Sequence, residues 1–331
     1  MKIAINGFGR IGRAVFKLAI ENPEVDIVSV NDLAPLDNLA YLLKYDTVYG
    51  VYKHSVEVKD GDLVVSGKQV KFLNEKDPAS LPWSELEIDL VVESTGVFTD
   101  REGISGHLKA GAKKVLLTAP TKDDSIKTIV CGVNDQELEA DDDIISNASC
   151  TTNCVAPMMK VLEDKFGVEK SLMSTIHSYT ATQALVDAPA KKDFRRGRAA
   201  ACNVVPTSTG AAKAAGLVVP EIKGNFDGMA YRVPTPSGSI SDVVTVLKKE
   251  VTEEEINQAF EEFENGSMQG ILKTTIEPLV SSDILASNYS VVIPKDLTKV
   301  MGGNLVKVVG FYDNEWGYSC RVIDLAILMS A

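Results

Sequence analysis

Cys150 stands in the run Ser146-Asn147-Ala148-Ser149-Cys150-Thr151-Thr152-Asn153-Cys154, between a strand-like stretch and a helix-like one. A thiol at such a junction feels the positive end of the helix dipole and the first unpaired amides, which lower its pKa and enrich the thiolate. Cys154, one helical turn further on, is expected to be buried and inert. Two readings of Cys150 stay open here: a nucleophile, or a small core residue of the kind free cysteines commonly become. Of the three histidines, His54 beside a hairpin and His107 in a glycine-rich stretch read as solvated surface residues. His177 closes an apolar run and is followed by Ser178, Tyr179 and Thr180. Close to a thiolate, an imidazole stabilises it as an ion pair and takes or gives a proton. At a strand end it can equally be hydrogen-bonded and nothing more, and the sequence alone does not bring it to Cys150.

A second constellation lies at the start of the chain. Gly7, Gly9 and Gly12 form GxGxxG directly after one strand and directly before a helix, and Asp32 ends the next strand twenty residues on. Gly7 allows the tight turn, Gly9 lets backbone approach a pyrophosphate, and Gly12 lets helix and strand pack closely. The helix N-terminus offers N–H groups to phosphate oxygens. Asp32 suits both hydroxyls of a ribose and repels a 2′-phosphate, which favours NAD over NADP. The other reading is a glycine-rich turn that binds nothing.

A third feature is a charge anomaly. Lys191, Lys192, Arg195, Arg196 and Arg198 crowd one stretch of a chain whose net charge is −12. Such a run is commonly a solvated face; beside a nucleophile and a dinucleotide site it also suits an anionic substrate. Arg232, before Pro234, is a further phosphate candidate, because a guanidinium fork matches phosphate oxygens. Ser208, Thr209 and Gly210 form another turn with hydroxyl and N–H donors for an anion.

These groups need elements to position them. Lys2–Asn6, Asp26–Asn31, Asp89–Ser94, Lys114–Thr118, 128–133 and Ile144–Asn147 read as strands, several of them continuous apolar runs of the kind buried in parallel sheets. Helices fit Ile11–Ile20 and Leu36–Leu43. Ser55–Lys59, Leu63–Val65 and Val70–Leu73 read as an antiparallel insertion turning at Asp60-Gly61. The second half differs: helix Cys154–Phe166, strand Ser171–Tyr179, a basic Ala-rich stretch to Ala201, strands 228–233, Ile240–Leu247 and Val306–Tyr312, and a closing helix over 315–329. Thr252 and Glu255 form a capping box. A boundary near Cys150 divides the 331 residues into about two domains.

Composition narrows the class. Hydrophobic residues at 45% and charged residues at 24% exclude general disorder. No apolar run is long enough to span a bilayer, and Met1 leads straight into a strand without a leader-like segment. The acidic charge disfavours nucleic acid. Five cysteines without a ladder of spacings point to a reducing compartment. The expectation is a cytoplasmic protein with no membrane and no nucleic-acid partner.

The segments NGFGRIGR, SNASCTTN, HSYTATQ, RRGRAAACNVVPTSTGAAKA, YRVPTP and YDNEWGY together resemble phosphorylating glyceraldehyde-3-phosphate dehydrogenase, nearly end to end. The resemblance implies an α/β plus α+β fold. A Rossmann domain would span 1–149 plus the C-terminal helix 313–331, and a mixed or antiparallel-sheet catalytic domain would span 150–312 and carry tetramerisation. It implies a homotetramer with segment 178–201 packed between subunits, NAD as cofactor, no metal, and glyceraldehyde 3-phosphate and inorganic phosphate as substrates. Position by position, it makes Cys150 the nucleophile and His177 its base. Ser149, Thr151, Thr209 and Gly210 would hold the attacking phosphate. Thr180, Arg195 and Arg232 would hold the substrate's own phosphate. Arg10, Ile11, Asp32, Lys76 and Thr118 would contact NAD, and Asn314 its carboxamide. Asp187-Ala188-Pro189 departs from the commoner wording in a way that accompanies some use of NADP in relatives. PSGSISD at 236–242 departs on the sheet where subunits would pack. The alternatives are an erythrose-4-phosphate dehydrogenase and a non-catalytic NAD-binding regulatory protein.

Overall fold

A computed structural model describes residues 1–190 and 193–330; Lys191 and Lys192 of the basic run lie outside the described residues. The chain forms two compact units. The first comprises Met1–Ile129, Gln136–Ala148 and the residues from Ser319 on; the second comprises Val130–Asp135 and Ser149–Tyr318.

The first unit opens with β1 (Lys2–Asn6), α1 (Arg10–Ala19), β2 (Asp26–Asn31) and α2 (Leu36–Lys44). A small ribbon follows, β3 (Tyr45–Asp46) with β4 (Gly50–Val51), and then the meander β5 (Val56–Lys59), β6 (Asp62–Val65) and β7 (Lys68–Leu73). The unit continues through α3 (Trp83–Leu86), β8 (Leu90–Glu93), α4 (Arg101–Lys109), β9 (Lys114–Leu117), β10 (Lys127–Thr128) and β11 (Ile144–Ser146). Nine strands form one sheet in the order β10-β11-β9-β8-β1-β2-β7-β6-β5. It is parallel from β10 to β7, and the antiparallel β6 and β5 extend its edge. The apolar runs of β1, β8 and β9 are buried on both faces because helices cover both, as a doubly wound sheet requires.

Two expectations change here. The apolar run 128–133 is strand only at Lys127–Thr128; beyond it Gly132 takes φ +77° and Asn134 Oδ1 accepts the Val130 N–H at 2.9 Å, so the chain turns. His107 is not on the surface: it is fully buried. The small residues of α4 allow a close approach, so tight that a Cβ on Gly106 would stand 2.9 Å from Pro78 Cβ, and the imidazole turns inward. His54 is half-buried, between Ser66 and Glu21.

The second unit begins with α5 (Cys150–Phe166) and β12 (Val168–Ser178). Next come β13 (Val205–Ser208), α6 (Ala211–Val218), β14 (Phe226–Val233), β15 (Ser239–Leu247) and α7 (Glu253–Glu264). The rest comprises β16 (Leu272–Thr275), β17 (Val291–Pro294), β18 (Lys299–Met301), β19 (Leu305–Tyr312) and the start of α8 (Trp316–Ser330). Its sheet runs β13-β14-β12-β15-β19-β17-β16, with β18 on β19. Long antiparallel pairs β12–β15 and β15–β19 form its middle, and β14 lies parallel to β12. Residues 313–318, expected with the dinucleotide-binding half, cluster with this unit, and α8 joins the first unit only from Ser319. α5 starts four residues earlier than its apolar pattern suggests, because Ser149 caps it: Ser149 Oγ accepts the Thr152 N–H at 3.1 Å.

Candidate active site

In the first unit, β1 delivers the chain into a glycine turn whose shape only glycine permits at two points. Gly7 has φ +93°, and a Cβ there would meet Thr95 N at 2.6 Å. A Cβ on Gly12 would stand 2.1 Å from Gly7 O. Gly9 differs, since a Cβ there would meet nothing within 4 Å. The space above Gly9 is open, as it must be if a pyrophosphate is to rest on its backbone.

Asp32 braces this turn. Its Oδ2 accepts the Phe8 N–H at 2.7 Å and its Oδ1 accepts the Ala34 N–H at 2.8 Å. Asn6, Gly7, Gly9, Asp32, Lys76 and Thr95 line a crevice of about 640 Å³. Arg10 turns its guanidinium onto Asp46 at 2.6 Å, and Arg10 and Ile11 open α1. Thr118 hangs both its N–H and its hydroxyl on Glu93 O at 3.0 and 3.1 Å.

Under the crevice runs a buried polar chain, of which only Asn6, closing the apolar β1, gives a local signal. Trp83 Nε1 donates to His107 Nδ1 at 2.9 Å, and an indole N–H only donates, so the His107 proton is assigned to Nε2, 3.1 Å from Glu93 Oε2. Glu93 also accepts from Asn6 Nδ2 at 2.6 Å, from the Thr95 N–H at 2.8 Å and from the Thr95 hydroxyl. Asn6 Oδ1 in turn accepts from Asn31 Nδ2 at 2.7 Å. Three strand ends are thereby tied together where the crevice opens.

In the second unit, Cys150 opens α5 directly after its cap Ser149, and Ala148 before that holds φ +53°. A side chain in that region costs about 1–3 kcal/mol, and such strain gathers at functional sites. His177 sits on β12, next in register to Arg232 on β14. Its Nε2 lies 3.5 Å from Cys150 Sγ. Its Nδ1 lies between Ser178 O at 2.7 Å, which only accepts, and Arg232 Nη1, which only donates; the tautomer with its proton on Nδ1, the one that bonds the carbonyl, turns the Nε2 lone pair to the thiol. Arg232 Nη1 donates to the same carbonyl at 3.0 Å and lies 2.8 Å from Nδ1.

Electrostatics correct one expectation. Burial pushes the Cys150 thiol up; the Arg232 charge, the Thr151 hydroxyl and the amides of the first turn pull the other way without overcoming it. Burial, reinforced by Arg232, pushes His177 down to about 3. Burial thus favours a neutral thiol facing a neutral imidazole, while Arg232 and the first-turn donors draw the thiol toward thiolate. Cys154 is fully buried and its thiol is raised by burial, so it is inert.

The other expected residues are distributed as follows. Thr151 is buried, its Oγ1 4.0 Å from Cys150 Sγ. Thr209 and Gly210 form the N-terminus of α6, with Thr209 Oγ1 accepting the Ala211 N–H at 3.2 Å. Thr180 Oγ1 pairs with Thr182 Oγ1 at 3.0 Å. Arg195 is exposed and held through its backbone on Asp193; the guanidinium whose charge reaches Arg232 is that of Arg196, which donates to Thr207 Oγ1 at 2.9 Å. Asn314 Oδ1 accepts hydroxyls from Ser178 at 2.9 Å and Ser239 at 2.8 Å, which leaves the amide nitrogen as its remaining polar group.

Two family models match the chain. One describes the NAD binding domain of glyceraldehyde 3-phosphate dehydrogenase, over residues 1–101, and the other its C-terminal domain, over residues 149–314. The chain belongs to the glyceraldehyde-3-phosphate dehydrogenase family. Among the similar proteins, glyceraldehyde-3-phosphate dehydrogenase of Borreliella burgdorferi is 53% identical over 333 residues, 98% of each chain. Glyceraldehyde-3-phosphate dehydrogenase 1 of Bacillus subtilis is 53% identical over 327 residues, 98% of this chain and 97% of its own. That of Geobacillus stearothermophilus is 52% identical over 332 residues, 100% and 98%.

Sequence reasoning missed several residues of this glyceraldehyde-3-phosphate dehydrogenase fold: Asn6, Asn31, Glu93 and His107 under the crevice, and Ser178, Ser239 and Tyr312 around Asn314 and Cys150. The Asn6-Gly7 junction was the one local signal, since a polar residue ending an otherwise apolar buried strand needs a partner.

Proposed function

We propose that this chain oxidises and phosphorylates D-glyceraldehyde 3-phosphate to 1,3-bisphosphoglycerate with reduction of NAD. The observation that carries the reading is the Cys150 Sγ to His177 Nε2 distance of 3.5 Å, with the imidazole oriented by Ser178 O. As Sγ adds to the aldehyde carbon, its proton passes to Nε2, and the developing oxyanion is held by the Cys150 N–H and His177. NAD, when bound, supplies the hydride acceptor. His177 returns that proton to the oxyanion, giving a thiohemiacetal hydroxyl, and takes it back as the hydride leaves carbon, so that a thioester remains on Cys150. Inorganic phosphate attacks its carbonyl, the C–S bond breaks, the acyl phosphate leaves and the sulfur is returned.

The supporting roles follow the chemistry of each group. Gly7, Gly9, Arg10, Ile11, Gly12, Asp32, Lys76 and Thr118 serve NAD, and the crevice over Gly9 fits it. Asn314 offers an amide N–H₂ to a carbonyl acceptor, the nicotinamide carboxamide. Ser149, Thr151, Thr209 and Gly210 serve the attacking phosphate, and Thr180, Arg195 and Arg232 the substrate's own. On this reading the first unit binds the cofactor, with Asp32 favouring NAD and the Asp187-Ala188-Pro189 segment allowing some NADP. The second unit carries the chemistry and subunit packing.

The active species is a homotetramer. One face of the second unit's sheet sets Leu172, Met229, Val244 and Met301 on its surface, with Leu172 opposite Val244 in register, an apolar face suited to packing against another subunit. The cytoplasm suits it: all five cysteines are free, and among the described residues no helix is long and apolar enough to cross a membrane. Purified protein given glyceraldehyde 3-phosphate and NAD should form NADH continuously only with inorganic phosphate. Sustained turnover without phosphate would contradict the reading, and so would no turnover with it.

A further inference from the structure

We propose that Tyr312 is a positioning residue for the phosphate step, acting through a relay of three hydroxyls that reverses when an oxyanion binds. The inference rests on the reading above that Thr151 holds the attacking phosphate.

Tyr312 ends β19 and is 2% exposed. Its hydroxyl lies 2.9 Å from Thr151 Oγ1, in the first turn of the helix that carries Cys150. It lies 2.8 Å from Thr175 Oγ1, on the strand that carries His177. Its ring meets the His177 ring edge-on, centroids 5.9 Å apart at 77°. Thr151 and Thr175 are 5% and 0% exposed, so no bulk water competes for these bonds.

The direction of the relay follows from its far end. Thr175 Oγ1 lies 3.4 Å from Ile240 O, which can only accept. Each hydroxyl has one proton. With Thr175 donating to Ile240 O, Tyr312 donates to Thr175 and Thr151 donates to Tyr312. Thr151 then turns a lone pair, not a proton, toward Cys150. An oxyanion reverses this need, because its oxygens want donors. If all three protons rotate, Thr151 donates to the anion, Tyr312 to Thr151 and Thr175 to Tyr312. Only the long bond to Ile240 O is lost, while a hydrogen bond to a charged oxygen, stronger than a neutral one, is gained. Tyr312 is the link without which Thr151 cannot be both held in place and free to reverse.

Tyr312→Phe removes one oxygen and keeps the ring against His177. Two half-reactions are to be measured with inorganic phosphate as the probe: the NADH burst without phosphate, which reports acylation, and the phosphate dependence of steady-state turnover. The expected result is a rise in KM for phosphate of about tenfold or more, the size of one lost hydrogen bond to a charged group, with acylation reduced far less. Thr175→Val, which cuts the relay from its other side, should do the same, and serves if Tyr312→Phe fails to fold. An equal loss in both half-reactions makes Tyr312 a structural brace only and overturns the proposal, as does an unchanged KM for phosphate. Thr151→Val separates the two levels. If it leaves the phosphate KM unchanged, the underlying assignment of Thr151 is wrong; if it raises that KM while Tyr312→Phe and Thr175→Val do not, the relay alone is wrong.

Discussion

The carboxylate of Asp32 accepts the backbone N–H of Phe8 at 2.7 Å, so the residue assigned to the ribose also holds the glycine turn in place. Two effects of removing it should therefore separate. Asp32→Ala should raise the NADP-to-NAD ratio of kcat/KM at least severalfold, because the negative charge that opposes a 2′-phosphate is gone. It should also lower stability by about 1–3 kcal/mol, because the Phe8 and Ala34 N–H groups lose their acceptor. Cofactor kinetics and thermal unfolding check the two effects independently. An unchanged ratio would remove Asp32 from cofactor choice even if stability fell.

Gly9 and Gly12 make a matched pair. A Cβ on Gly9 meets nothing, whereas one on Gly12 stands 2.1 Å from Gly7 O. Gly9→Ala should unfold at nearly the wild-type temperature yet bind NAD at least about tenfold more weakly, since the methyl group fills the space assigned to pyrophosphate. Gly12→Ala should lose both stability and NAD. Full NAD affinity in Gly9→Ala would argue that the crevice binds something else.

His177 and Arg232 act differently on the thiol. His177→Asn removes the proton acceptor at Nε2 and should lower turnover by about 10²–10⁴. Arg232→Gln removes a positive charge that draws the Cys150 pKa down. Its thiolate then forms at higher pH than in the wild type. The pH dependence of Cys150 alkylation by iodoacetamide should shift upward and the KM for glyceraldehyde 3-phosphate should rise. A downward shift would contradict the electrostatic account.

Leu172 is 67% exposed and faces Val244 across the β12–β15 pair. Leu172→Asp should leave the subunit folded but shift the assembly toward smaller species, read by light scattering after size-exclusion chromatography. An unchanged assembly would move the proposed subunit packing to another surface.

How much of this was legible in the sequence depended on distance along the chain. The glycine turn and Asp32 lie within one β-α-β unit, and their spacing is a property of that unit. The start of α5 at Cys150 is likewise local, although its apolar pattern hid the first turn until Ser149 was seen capping it. What brings His177 to Cys150, by contrast, is β12 lying beside the helix it follows, and no spacing expresses that. The same holds for Tyr312, which reaches Thr151 from 161 residues away. His107 misled because a glycine-rich, weakly apolar stretch resembles surface. Those same small residues let α4 pack so closely that its histidine is buried. Residues 128–133 misled in the opposite sense, an apolar run bent by Gly132. The short strands Leu272–Thr275 and Val291–Pro294 lacked any flanking signal strong enough to mark them.

The central claim is that substrate becomes covalently bound to Cys150. Protein mixed with glyceraldehyde 3-phosphate and excess NAD without inorganic phosphate, quenched in acid and digested, should carry the phosphoglyceryl group on the peptide containing Cys150, and adding phosphate before the quench should remove it. A modification at Cys154 or another cysteine, or NADH formed with no acylated peptide at all, would contradict the account.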